Sequence, residues 1–66
     1  MNIHVNGKRL ELPFNSNITD LVSYLGFQNQ RIALEVNELI IPKSKHSTFL
    51  LSDNDKVEVI NAVGGG

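Results

Sequence analysis

One stretch of this 66-residue chain repeats its apolar residues with the period of a helix: Ile18, Leu21, Val22 and Leu25 stand at i, i+3, i+4 and i+7. Two turns of helix do not persist alone in water, so this stripe must be covered by another part of the chain. The ends are marked too. Asn17 fits the N-cap, Asp20 fits the third helical position from which a carboxylate reaches back to the cap, and Gly26 fits the left-handed position that closes a helix. The spacing therefore predicts one short helix, and the cover has to come from strands.

Strand patterns lie on both sides of it. Ile3 and Val5 alternate with Asn2 and His4, Leu10 and Leu12 alternate with Arg9 and Glu11, and Asn6-Gly7 separates the two runs. Both turn residues tolerate the positive φ of a type I′ hairpin, which predicts strands over about 2–6 and 8–12, with Pro13 ending the second. Ile32, Leu34 and Val36 share one face of a third strand; Asn37-Glu38 turns the chain into a short fourth, Leu39-Ile40-Ile41, closed by Pro42. Residues 43–48 are polar and read as loop with a brief 3₁₀ turn, after which Phe49 with Leu50 or Leu51 supplies a core anchor. Ser52 to Asp55 is a turn, and Lys56 to Val63 is a last strand, apolar enough for a central place beside the first.

A sheet and one helix bury their apolar faces only as two layers. The order β-β-α-β-β-β, with two hairpins joined through parallel central strands, is the β-grasp arrangement: an α+β fold with a mixed sheet of four to five strands clasping one short helix. The expected domain spans residues 1–63, followed by a flexible glycine tail at 64–66.

Size and composition narrow the function. A domain this small buries only about 60% of its unfolded surface and has little room for an enzyme's cleft. Six Lys and Arg against seven Asp and Glu are scattered along the chain, which offers no basic stripe to nucleic acid. The absence of cysteine excludes disulfides, thiolate metal sites and a catalytic thiol. His4 and His46 have no third ligand spaced nearby and read as a strand-surface and a loop histidine; Asp53-Asn54-Asp55 lacks the later ligands of a calcium loop and reads as a turn. Lys43, Lys45 and His46 read as solvated loop rather than as a steering patch. Neither a signal peptide nor a membrane span is apparent, so the expected address is cytoplasmic.

That leaves the end of the sequence. Gly64, Gly65 and Gly66 offer a core nothing, yet an extended backbone without Cβ atoms threads a narrow channel and leaves a terminal carboxylate open to attack. If Val57 and Val59 face the helix, alternation puts Ile60 and Ala62 on the opposite face beside the tail, where with Val63 they form a candidate docking surface.

The hairpin at Asn6-Gly7, the stripe Ile18-x-x-Leu21-Val22-x-x-Leu25, the segment from Ile32 to Asn37 leading to Ile41-Pro42, the turn Asp53-Asn54-Asp55 and the terminal Gly65-Gly66 together resemble the small ubiquitin-like sulfur carrier proteins, and most closely those of thiamine (thiazole) biosynthesis. The resemblance spans nearly the whole chain. It departs at Asn17, where members often carry Thr, at Asn54, where they often carry Gly, and at Lys43, where they often carry Arg. It implies a carrier that is not an enzyme, binding no cofactor or metal itself. An E1-like enzyme uses ATP to adenylate Gly66, a sulfur donor protein converts the adenylate to a thiocarboxylate, and a thiazole synthase takes the sulfur. A carrier for molybdopterin, a ubiquitin-like modifier joined to lysines and a non-reactive interaction module are the alternatives.

Overall fold

The computed structural model describes residues 1–61, which form β1 (Asn2–Val5), β2 (Lys8–Glu11), α1 (Ile18–Tyr24), β3 (Ile32–Val36), β4 (Leu39–Ile40) and β5 (Lys56–Asn61), with a 3₁₀ turn at Lys43–Lys45. The sheet order is β2-β1-β5-β3-β4. β1 and β5 run parallel; β1 pairs antiparallel with its hairpin partner β2, and β5 pairs antiparallel with β3, whose own hairpin partner β4 forms the far edge. This is the expected β-grasp arrangement. Strand ends differ slightly: Asn6 belongs to the turn, and Leu12 lies beyond β2 while its N–H still donates to the Met1 carbonyl at 2.9 Å.

Both hairpins turn through left-handed residues. Asn6 and Gly7 have φ of 50° and 83°, and Asn37 and Glu38 have φ of 51° and 71°. Two successive positive φ values are what a type I′ turn requires, and its twist matches that of the strands. Glu38 is the costly choice there, since a Cβ is disfavoured in the left-handed region.

The helix is capped at both ends as its sequence predicts. Asn17 accepts from the Asp20 N–H at 2.7 Å and the Asp20 carboxylate accepts from the Asn17 N–H at 3.0 Å, a reciprocal capping box. Gly26, at φ 80°, donates to the Ser23 carbonyl, and Phe27 donates to that of Val22, the paired bonds of a Schellman closure. Ile18, Leu21 and Val22 are buried against Ile3, Val5, Leu34, Val36, Val57 and Val59 in one core, with Leu25, Phe27 and Phe49 packed partly against it. Leu51 is the buried anchor after the polar loop, and Leu50 is exposed.

The polar loop departs from expectation at His46. Its side chain is 8% exposed, and Nε2–H donates to the Ile41 carbonyl at 3.0 Å. Its own carbonyl accepts from the Thr19 N–H, while that of Phe49 accepts from Ile18. The first turn of a helix carries N–H groups without intrahelical partners, and the loop closes over them. His46 is thus structural, and the solvated loop face consists of Lys43 and Lys45 without it.

Candidate functional site

Asn61 is the last described residue of β5, and the fold fixes that strand from both sides. On one side the Asn6 side chain sits where β1 would have continued: its Oδ1 accepts from the Val59 N–H at 2.9 Å and its Nδ2 donates to the Val59 carbonyl at 3.2 Å. On the other side Asn37 takes Lys56 in the same manner, its backbone N–H donating to the Lys56 carbonyl at 2.7 Å and its Oδ1 accepting from the Lys56 N–H at 3.0 Å. Each asparagine does two things, tolerating positive φ in a hairpin turn and extending the ladder onto the central strand. Buried or half-buried backbone groups need such partners.

The acidic turn sets the start of β5. Asp53 accepts from the Asn2 N–H at 2.7 Å; Asp55, 9% exposed, accepts from the Ser52 N–H at 2.7 Å and from Asn37 Nδ2 at 2.9 Å. Asn54 takes φ 70°, a conformation that asparagine shares with the glycine found there in the resembled family. The aspartates are spent on hydrogen bonds that close the turn at Ser52 and tie it to Asn2 and Asn37. Among the described residues no group of three or more His, Cys, Asp or Glu is placed to hold a metal ion.

At the exit, Asn61 pairs with Ile32 across β5 and β3, and its Nδ2 donates to Gln30 Oε1. Val57 and Val59 face the core, so Ile60 points to the other side, where it is 55% exposed. Its register partner Ala33 is exposed on the same face. Along that face Glu35 lies opposite Glu58, and Ile40, 69% exposed, lies opposite Glu35 on β4. Period-2 alternation identified Ile60; Ala33 and Ile40 join it only through the pairing register, which the sequence does not spell out. Ala62, Val63, Gly64, Gly65 and Gly66, the other expected docking and tail residues, lie outside the described residues. The described part supplies a fixed origin and a marked apolar face for the residues after Asn61.

A second feature lies on the helix side. Two adjoining cavities of about 160 and 80 Å³ share Val22, Gln28, Lys43 and His46 as lining; Thr19 and Ser47 complete the larger, and Phe27, Gln30, Arg31 and Ile32 the smaller.

The model of the ThiS family matches residues 3–66. The ycf40 protein of Pyropia yezoensis is 39% identical over 67 residues, covering 100% of this chain and 93% of that protein. The sulfur carrier protein ThiS of Bacillus subtilis is 31% identical, covering 97% of this chain and 98% of its own. A thiazole synthase of Magnetococcus marinus is 29% identical over the whole of this chain, which corresponds to 20% of that protein. Among solved structures, the crystal structure of the thiamine biosynthesis protein ThiS from Geobacter metallireducens superposes with a TM-score of 0.84 at 30% identity, covering both chains fully. No helix among the described residues is long and apolar enough to cross a membrane.

Proposed function

Because this chain belongs to the ThiS family, we propose that it is a sulfur carrier for thiazole synthesis in the making of thiamine, with the Gly66 carboxylate as the loaded group. The observation that carries this reading is the extent of the family match, which runs through the terminal glycines to residue 66. In the proposed reaction one carboxylate oxygen of Gly66 attacks the α-phosphorus of ATP and pyrophosphate leaves. The acyl adenylate then offers AMP as leaving group to a sulfide equivalent from a donor protein. The product is a C-terminal thiocarboxylate, which supplies the sulfur atom to a thiazole synthase.

An E1-like enzyme performs the adenylation and holds the ATP, so the carrier acts as a protein co-substrate without catalytic residues or a cofactor of its own. Its contribution is presentation. Attack by the carboxylate on ATP, and then by sulfide on the adenylate carbonyl, is unhindered at glycine, and Gly64 and Gly65 provide reach and permissive backbone angles. Ile60, with Ala62 and Val63 following, forms the proposed docking face beside the tail, and an exposed apolar patch beside a reactive group is the kind of surface a partner covers. The thiazole synthase that contains a stretch similar to this chain supports a working association between carrier and synthase. The reading places the protein in the cytoplasm.

Deletion of Gly66 tests the assignment. The shortened chain keeps its circular dichroism spectrum and accepts no sulfur from activating enzyme, ATP and sulfide donor. A deleted form that still acquires sulfur refutes Gly66 as the site, and recovery of Gly66 linked to lysines in place of thiocarboxylate identifies a modifier instead.

A further inference from the structure

We infer that Asn6-Gly7 is a site of spontaneous deamidation, gated by the grip of the Asn6 side chain on Val59, and that its product loosens the strand from which the tail departs. The inference rests on the hairpin and does not depend on the sulfur-carrying role.

Deamidation begins when the backbone nitrogen after an asparagine attacks the side-chain Cγ. The new bond closes a five-membered imide, and the amide nitrogen takes up the proton and leaves as ammonia. Water then opens the ring at one of two bonds. Breaking the bond to Cγ gives aspartate; breaking the bond to the main-chain carbonyl carbon gives isoaspartate, with the chain running through the former side chain. A Cβ on the attacking residue crowds the ring, and Asn6 is the one asparagine in the chain that glycine follows. Asn6 and Gly7 are both exposed, and a Cβ at Gly7 would meet nothing within 4 Å, so water reaches the turn freely.

The fold opposes the first step. Asn6 Oδ1 accepts from the Val59 N–H at 2.9 Å and Nδ2 donates to the Val59 carbonyl at 3.2 Å, so both ends of the amide are held toward β5. Ring closure needs that amide turned back to its own main chain, with both bonds broken. The clamp therefore opens before the nitrogen attacks, and the rate follows the fraction of time it stands open. The product does not restore it. Aspartate has no donor and sets a carboxylate oxygen against the Val59 carbonyl. Isoaspartate lengthens the main chain inside a turn built on φ of 50° and 83° and carries its carboxylate one carbon nearer the backbone, so neither bond re-forms. The change is irreversible and acts on β5 at Val59, close before Asn61.

Incubation of the full chain at neutral pH, folded and in guanidinium chloride, tests this. Mass and fragmentation of the tryptic peptide Met1–Lys8 report replacement of NH by O at Asn6, and an isoaspartyl methyltransferase reports the isomer. In the unfolded chain Asn6 converts ahead of the other asparagines, and Gly7→Ala removes that lead. In the folded chain conversion at Asn6 is about tenfold slower, the factor that two hydrogen bonds of this kind supply. Below the unfolding transition the folded rate changes little with denaturant, because opening the clamp exposes little surface. The deamidated chain, separated by ion exchange, unfolds at a lower denaturant concentration than the original, isoaspartate lower than aspartate. Equal rates folded and unfolded, a folded rate that climbs with denaturant as steeply as global unfolding, or a deamidated chain with an unchanged midpoint overturns the proposal.

Discussion

If the Asn6 side chain holds β5 as the geometry indicates, its replacement weakens the strand from which the tail departs. Asn6→Gly keeps the left-handed turn and removes two hydrogen bonds, those at 2.9 and 3.2 Å to the backbone of Val59. Each such bond contributes about 0.5–1.5 kcal/mol net; because the site is only partly buried and water can replace the lost partner, we expect about 1–2 kcal/mol for the pair. Asn6→Ala loses the same bonds and, unlike the Gly variant, keeps a Cβ at φ 50°, which places it about 1–2 kcal/mol below the Gly variant. Asn6→Asp keeps the acceptor and loses the donor, so it falls between wild type and Gly. For a chain of this size, stabilised by roughly 3–10 kcal/mol in total, these are large fractions. Urea denaturation with a slope of about 1 kcal/mol per molar reads the Gly variant as a midpoint lower by about 1–2 M, with Ala lower again. Hydrogen exchange at the Val59 amide accelerates in the Gly and Ala variants and not in Asp, which still accepts from it. A Gly variant with an unchanged midpoint and a protected Val59 amide would falsify the clamp.

Leu34 is 1% exposed in the core between helix and sheet, and Leu34→Ala should cost about 2–5 kcal/mol, enough to leave much of the protein unfolded at room temperature if its total stability lies near the low end. Calorimetry or urea denaturation checks this, and a loss below about 1 kcal/mol would mean that the core collapses around the gap. Ile60→Asp acts at the opposite face, where it leaves the melting temperature nearly unchanged while weakening association with the activating enzyme. Retained association would remove Ile60 from the docking surface.

The elements of this fold were legible because each is signalled locally. The stripe from Ile18 to Leu25, the caps at Asn17 and Gly26 and the Asn6-Gly7 turn all depend on residues a few positions apart. What the sequence concealed depends on residues far apart. Nothing in Lys43-Ser44-Lys45-His46 suggests a buried ring, because the reason for burying it is the uncovered first turn of a helix nearly thirty residues earlier. Asn6 reads as a turn residue, and its second role appears only once Val59 lies beside it. Likewise Ile60 follows from alternation within one strand, whereas its neighbours Ala33 and Ile40 follow from register. Among the candidate residues, then, the sequence reveals those defined by position along the chain and hides those defined by pairing.

The central claim is chemical, and intact-mass spectrometry reads it most directly. The full chain is incubated with its activating enzyme, ATP and a sulfide donor, and then weighed whole and after proteolysis. The account predicts a gain equal to one oxygen replaced by one sulfur, located in the peptide that ends at Gly66 and reversed when a thiazole synthase and its substrates are added. An unchanged mass with a demonstrably active enzyme, or a sulfur atom located anywhere else in the chain, would contradict it.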